Sequence, residues 1–114
     1  MFYLSIISLI VSLLANPPQT EKTITASEAK AYVGQTVRVC GVVFSIRESR
    51  RGAGSPTFLN FDQPYSRTEF SAVIWRWQRH HFLNLRERRG QRTCVIGKVR
   101  EYRGRAQMTL TKAA

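Results

Sequence analysis

The chemistry available to this chain is carried by arginine and by aromatic rings. Lysine and arginine number 18 against seven acids, a formal net charge of +11, and most of the cations are arginine. A planar guanidinium pairs with a phosphate at two points and stacks on a base, which a lysine ammonium does not do. An excess of this size draws a polyanion by long-range attraction and counterion release. Nucleic acid is therefore the first candidate partner, ahead of an acidic polymer or an acidic membrane. The cations gather in two places, Arg47, Arg50 and Arg51 in a stretch rich in glycine, and Arg100, Arg103 and Arg105 around Tyr102 and Gly104. Phe58, Trp75, Trp77 and Tyr102 are the aromatic residues between and beside them that could stack on bases. The arginines near Phe82, namely Arg79, Arg86, Arg88 and Arg89, are read as a solvated face.

Catalysis has no comparable constellation. Glu21, Glu28, Glu48, Asp62, Glu69, Glu87 and Glu101 stand singly, with no pair of carboxylates in one segment to hold a metal or exchange protons. His80 and His81 are adjacent, and on a helix neighbours point about 100° apart, a poor arrangement for joint ligation. The expectation is a chain with no catalytic residues, no metal, no cofactor and no small-molecule substrate. Two cysteines, Cys40 and Cys94, are too few for a metal site, and whether they bond depends on the compartment.

The elements that must position these residues follow from local patterning. Residues 2–15 are uncharged and apolar, and Pro17-Pro18 stops any helix after them. Fourteen or so residues fall short of the roughly 20 that span a membrane but suit the core of a signal peptide. Residues 1–16 are accordingly read as a signal peptide or signal anchor, 17–23 as a linker and 24–114 as one domain, with export to the periplasm or exterior, or tethering through residues 2–15. If the apolar run is not a signal, the protein is cytoplasmic.

Within the domain, Thr25-Ala26-Ser27-Glu28 fits a capping box, so a short helix should begin there and close at Gly34. Val37, Val39, Val42, Phe44 and Ile46 predict a first strand whose alternation slips near Gly41, as at a bulge or barrel corner. Residues 47–56 are a basic loop. Thr57–Phe61 and residues 70–77 are the second and third strands, joined through a turn at 62–66. Residues 78–89 suit a short amphipathic helix ended by Gly90. Residues 93–101 and 105–111 make the last two strands, with Val95, Val99, Ala106, Met108 and Leu110 spaced to face inward. Five strands with a helix between the third and fourth is the topology of an all-β OB-fold Greek-key barrel. In such a barrel the first and fourth strands are neighbours. Cys40 and Cys94 share strand parity with Arg38 and Arg92, so a cross-strand disulfide on the outside is one reading and two inert thiols the other.

Val39-Cys40-Gly41-Val42-Val43, Thr57-Phe58-Leu59-Asn60-Phe61, Val73-Ile74-Trp75, Ile96-Gly97-Lys98-Val99 and Tyr102-Arg103-Gly104-Arg105-Ala106-Gln107-Met108 together resemble the nucleic-acid-binding OB domains of the tRNA-anticodon and helicase type. The resemblance implies a groove across the second and third strands, flanked by the loop after strand one and the loop between strands four and five. It implies too that Phe58 faces outward to stack on a base. Alternation agrees that Leu59 and Phe61 share one face and Phe58 and Asn60 the other, and we expect the first pair in the core. The expected binding residues are then Phe58, Asn60, Arg47, Arg50, Arg51, Trp75, Arg100, Tyr102, Arg103 and Arg105. They would hold a single strand by stacking and by phosphate contacts without a base code. Staphylococcal-type nucleases use a similar barrel, but their acidic ligand set cannot be placed here. The rival expectation is an exported interaction or envelope module that binds a protein or an acidic polymer.

Overall fold

The computed structural model describes residues 21–50 and 54–111, so the apolar segment 2–15 and Arg51 lie outside the described residues. The described residues are mostly β, as expected, and among them are seven strands and three 3₁₀ helices: β1 Thr23–Thr25, η1 Ala26–Tyr32, β2 Thr36–Glu48, β3 Thr57–Phe61, β4 Phe70–Ile74, η2 Arg76–His81, η3 Leu85–Arg88, β5 Arg92–Lys98, β6 Arg100–Tyr102 and β7 Arg105–Thr109. The sheet is mixed, in the order β1-β2-β3-β4-β7-β6, with β5 also paired to β2. Among the described residues no helix is long and apolar enough to cross a membrane.

The long β2 explains most of the shape. Its first half, Thr36 to Val42, pairs antiparallel with β5, and its second half, Val43 to Glu48, pairs antiparallel with β3. Between the two runs the strand must coil. We expected the slip in alternation at Gly41; it occurs between Val43 and Ser45. Val37, Val39 and Val43 therefore face the core, whereas Val42 and Phe44 are exposed. Gly41 serves the corner differently. A Cβ there would come within 2.8 Å of the Asp62 carboxylate. With no side chain in the way, Asp62 Oδ1 accepts from Val42 N–H at 2.8 Å, and the Asp62 N–H donates to the Val42 carbonyl at 2.7 Å.

The expected helix over 25–34 forms as η1, and its first turn is closed by Glu28. The Thr25 N–H and hydroxyl both donate to Glu28 Oε1 at 2.9 Å. These two bonds hold the Glu28 carboxyl below its ordinary value. A lowered folded value stabilises the fold above the ordinary carboxylate range, and that contribution is lost as pH falls through the folded value.

Three expectations about elements need correction. The linker reading of residue 23 gives way to β1, which runs parallel to β2 from Thr23 opposite Arg38. The single helix over 78–89 is two 3₁₀ helices separated by residues 82–84, of which Asn84 sits in the left-handed region at φ 58°. With Phe82, Leu83 and Leu85 as the apolar residues between Gln78 and Gly90, the segment cannot present a continuous helical stripe. Phe82 and Leu85 pack on the core while Leu83 is turned outward. The fourth strand is interrupted at buried Val99: β5 pairs with β2 before it, and β6 pairs with β7 after it. Leu59, Phe61, Phe70, Ile74, Val99, Ala106 and Met108 form the centre of the core, with Phe61 and Phe70 meeting edge to face at 5.2 Å.

Candidate nucleic-acid interface

Leu59, Ala72 and Met108 are directly paired across β3, β4 and β7 and are all buried in the core. The residues alternating with them point to the opposite face of the same strands. One row there is Arg47, Phe58, Val73 and Thr109. A second is Ser45, Asn60, Ser71, Gln107 and Arg100. A third brings Tyr102 opposite Arg105.

Asn60 belongs to this outer face, yet it is 0 % exposed and so is not the accessible hydrogen-bonding group expected of it. Its Nδ2 donates to Ser45 Oγ at 3.0 Å, and its Oδ1 accepts from Ser71 Oγ at 2.7 Å. The amide is thus committed to tying three strands together, which explains how a polar side chain is tolerated there. Phe58 is half-buried.

The residue that sequence reasoning missed is Tyr65, in the loop between β3 and β4. Its ring lies 6.5 Å from that of Phe58 at 59°. Two guanidiniums lean on it, Arg47 at 5.0 Å and Arg105 at 4.6 Å from the ring centre. Arg105 also donates to the Tyr65 carbonyl and, at 3.4 Å, to that of Ser66. Tyr65 nevertheless remains 45 % exposed. Positioned between turn residues, it carries no periodic signal, so only the loop's course brings it over the sheet. A cation held against an aromatic face is attracted by the ring's quadrupole, so this cluster orders two cations around one accessible ring.

The loop's footing is Thr68. Its buried hydroxyl lies 2.8 Å from the Phe61 carbonyl and 2.7 Å from that of Phe70, and donates its one proton between them. Replacing Thr68 with Val keeps the volume and removes a buried hydroxyl that donates to these carbonyls and accepts from the Phe70 N–H. The expected cost is roughly 1–3 kcal/mol, read by urea unfolding. Unchanged stability would mean that the hydroxyl contributes nothing to the loop.

The remaining expected residues are placed as follows. Tyr102 is exposed, with Arg103 at 5.3 Å from its ring centre. Arg50 and Arg100 are exposed, and Arg100 sits opposite Gln107. Trp75 is half-buried and stacks parallel on Trp77 at 5.8 Å, which leaves Trp77 57 % exposed. Gly54, at φ 91°, lies so close to the pair that a Cβ would approach Trp75 to 2.8 Å. The Gly54 carbonyl accepts from Arg76 N–H at 2.9 Å, and Arg79 donates to the Ser55 carbonyl. Gly54 and Ser55 are thereby held against the tryptophan pair and the turn that follows it. Arg47, Phe58 and Arg105 come together around Tyr65; Trp75 belongs with Trp77 at the Gly54 end of β4.

Cys40 and Cys94 face one another across β2 and β5, and their sulfurs are bonded. Among the described residues no three metal-ligating side chains form a group.

No sequence model of a known protein family matches the chain, and no curated protein does. Among solved structures it is similar to one from Klebsiella pneumoniae described as a "putative nucleic acid-binding lipoprotein". The TM-score is 0.43 and the identity 16 %, over 74 % of this chain and 73 % of that one. That likeness is too distant to assign a family.

Proposed function

We propose that the sheet rolls into an OB-fold barrel whose Tyr65 face holds single-stranded nucleic acid, without catalysis. Closure of the barrel is supported by the ladder itself. β2 leads through β3, β4 and β7 to β6, and only Val99 separates β6 from β5, which pairs back to β2. On this reading β5 and β6 are one bent strand, β1 is an addition at the edge, and η2 and η3 stand where OB domains carry their helix.

The observation that carries the function is the Tyr65 ring with Arg47 and Arg105 against it and Phe58 beside it. Exposed rings offer a surface on which any base can stack, and guanidiniums fixed beside them meet the phosphates that accompany those bases. Arg100, Tyr102 and Arg103 extend the same face toward the last turn. Contacts of this kind do not distinguish one base from another. Export is supported by the Cys40–Cys94 bond, since disulfides persist in oxidising compartments, with residues 2–15 as the signal or tether.

The test is fluorescence anisotropy of a labelled oligonucleotide of about 15 bases, with wild type, Phe58→Ala and Tyr65→Ala. Each substitution is expected to weaken binding roughly 5- to 150-fold, the loss of about one base stack. Binding unaltered in both variants would mean that charge alone holds the strand. Failure to bind at low salt would sink the nucleic-acid reading and favour a module for a protein or acidic polymer.

A further inference from the structure

An opening of about 190 Å³ lies away from the Tyr65 face, between β5, the end of β7 and the segment joining η2 to η3. Leu59, Phe82, Leu85 and Leu110 form its apolar wall, and Arg88 and Arg92 line it too. Leu83 belongs to the same lining and is 84 % exposed, the most exposed of the large apolar side chains described. Packing gives no reason for a leucine there. Neither Arg88 nor Arg92 is in an ion pair among the described residues; the one ion pair is Arg86 with Glu48, at 3.8 Å. β5 forms its ladder with β2 alone, so the backbone groups on its other edge have no ladder partner.

An apolar wall with unpaired cations beside it fits one ligand class. We propose that this opening binds an aliphatic chain carrying an anionic head, with the chain against Leu59, Phe82, Leu85 and Leu110 and the head on Arg88 and Arg92. Apolar cavities of about 150 Å³ hold a benzene-sized guest, so the space here matches a chain of roughly eight carbons or fewer. Leu83 would close over the chain, and its own surface would leave water as it did so. None of these residues belongs to the Tyr65 face, and the proposal does not rest on nucleic-acid binding.

Calorimetric titration of the full protein with octanoate tests it, with butanoate and 1-octanol as controls. Saturable one-to-one binding of octanoate is expected, with butanoate roughly 200-fold weaker for its four missing methylenes. Octanol should also bind more weakly, and an Arg88→Gln/Arg92→Gln variant, altered only at exposed positions, should lose most of the octanoate affinity while keeping its melting temperature. Vesicles of phosphatidylglycerol that compete with octanoate would trace the chain to a bilayer, and vesicles that do not would leave a free carboxylate as the ligand; either result keeps the site. No saturable binding at about 10 mM, equal affinity for octanol, or an unaltered double variant would each overturn the proposal. An oligonucleotide should not displace octanoate, so failure here and failure of the nucleic-acid reading are separately visible.

Discussion

Removing the Cys40–Cys94 bond is expected to cost the domain about 4 kcal/mol and to lower its melting temperature by roughly 15–30 °C. The two cysteines are 54 residues apart in sequence yet directly opposed in the register of β2 and β5. In the unfolded chain the bond closes a long loop and removes conformations the chain would otherwise gain on unfolding. In the folded chain it joins strands that are already hydrogen-bonded. The loop it closes contains β3, β4, η2 and η3, so Phe58 and Tyr65 both lie inside it. A Cys40→Ala/Cys94→Ala variant compared with wild type by thermal unfolding, with and without reductant, measures the effect. If the melting temperatures agree within a degree or two, the bond is redundant with the ladder. If reductant lowers the wild type but not the variant, the loss belongs to the disulfide.

The second large effect concerns ionic strength. Four arginines, Arg47, Arg100, Arg103 and Arg105, line the proposed path of the strand. Should each neutralise one phosphate, the logarithm of affinity falls with that of salt at a slope of about −2.8. Raising salt from about 50 to 200 mM should then weaken oligonucleotide binding roughly 50-fold. An Arg100→Gln/Arg103→Gln variant should lose about half that slope, and these two arginines lie outside the Tyr65 cluster, so its geometry is spared. A slope near zero would mean that the arginines do not meet phosphate. A full slope retained in the variant would place the contacts elsewhere on the basic surface.

What could be read from the sequence, and what could not, divides along physical lines. Thr57–Phe61 was legible to the residue, because a short run rich in aromatic residues is bounded on both sides by turn residues. Alternation put Leu59 and Phe61 on one face, and both are in the core. Asn60 failed because alternation gives the face but not the partners on it, and Ser45 and Ser71 are brought to it only by the sheet. Tyr65 failed because its contacts, Arg47, Phe58 and Arg105, are distant in sequence and a loop has no period to betray its course. The 78–89 segment failed because its composition allows a helix while its few apolar residues reward only the packing of Phe82 and Leu85. The sequence separates Arg47 from Arg100, Arg103 and Arg105, and only the expected barrel joined the two clusters. That Arg47 and Arg105 share the Tyr65 ring while Arg103 lies over Tyr102 needed the fold.

Trp75 and Trp77 are the only two tryptophans in the chain, and their indoles lie nearly parallel, 8° apart. Two identical chromophores at that spacing share their excitation, so the ultraviolet circular dichroism of the protein carries a paired signal from this one place. Because Gly54 abuts both rings, the signal reports on how Gly54 packs against the pair. The molecule thus contains an unlabelled optical gauge at one end of its proposed binding face, readable without adding a dye.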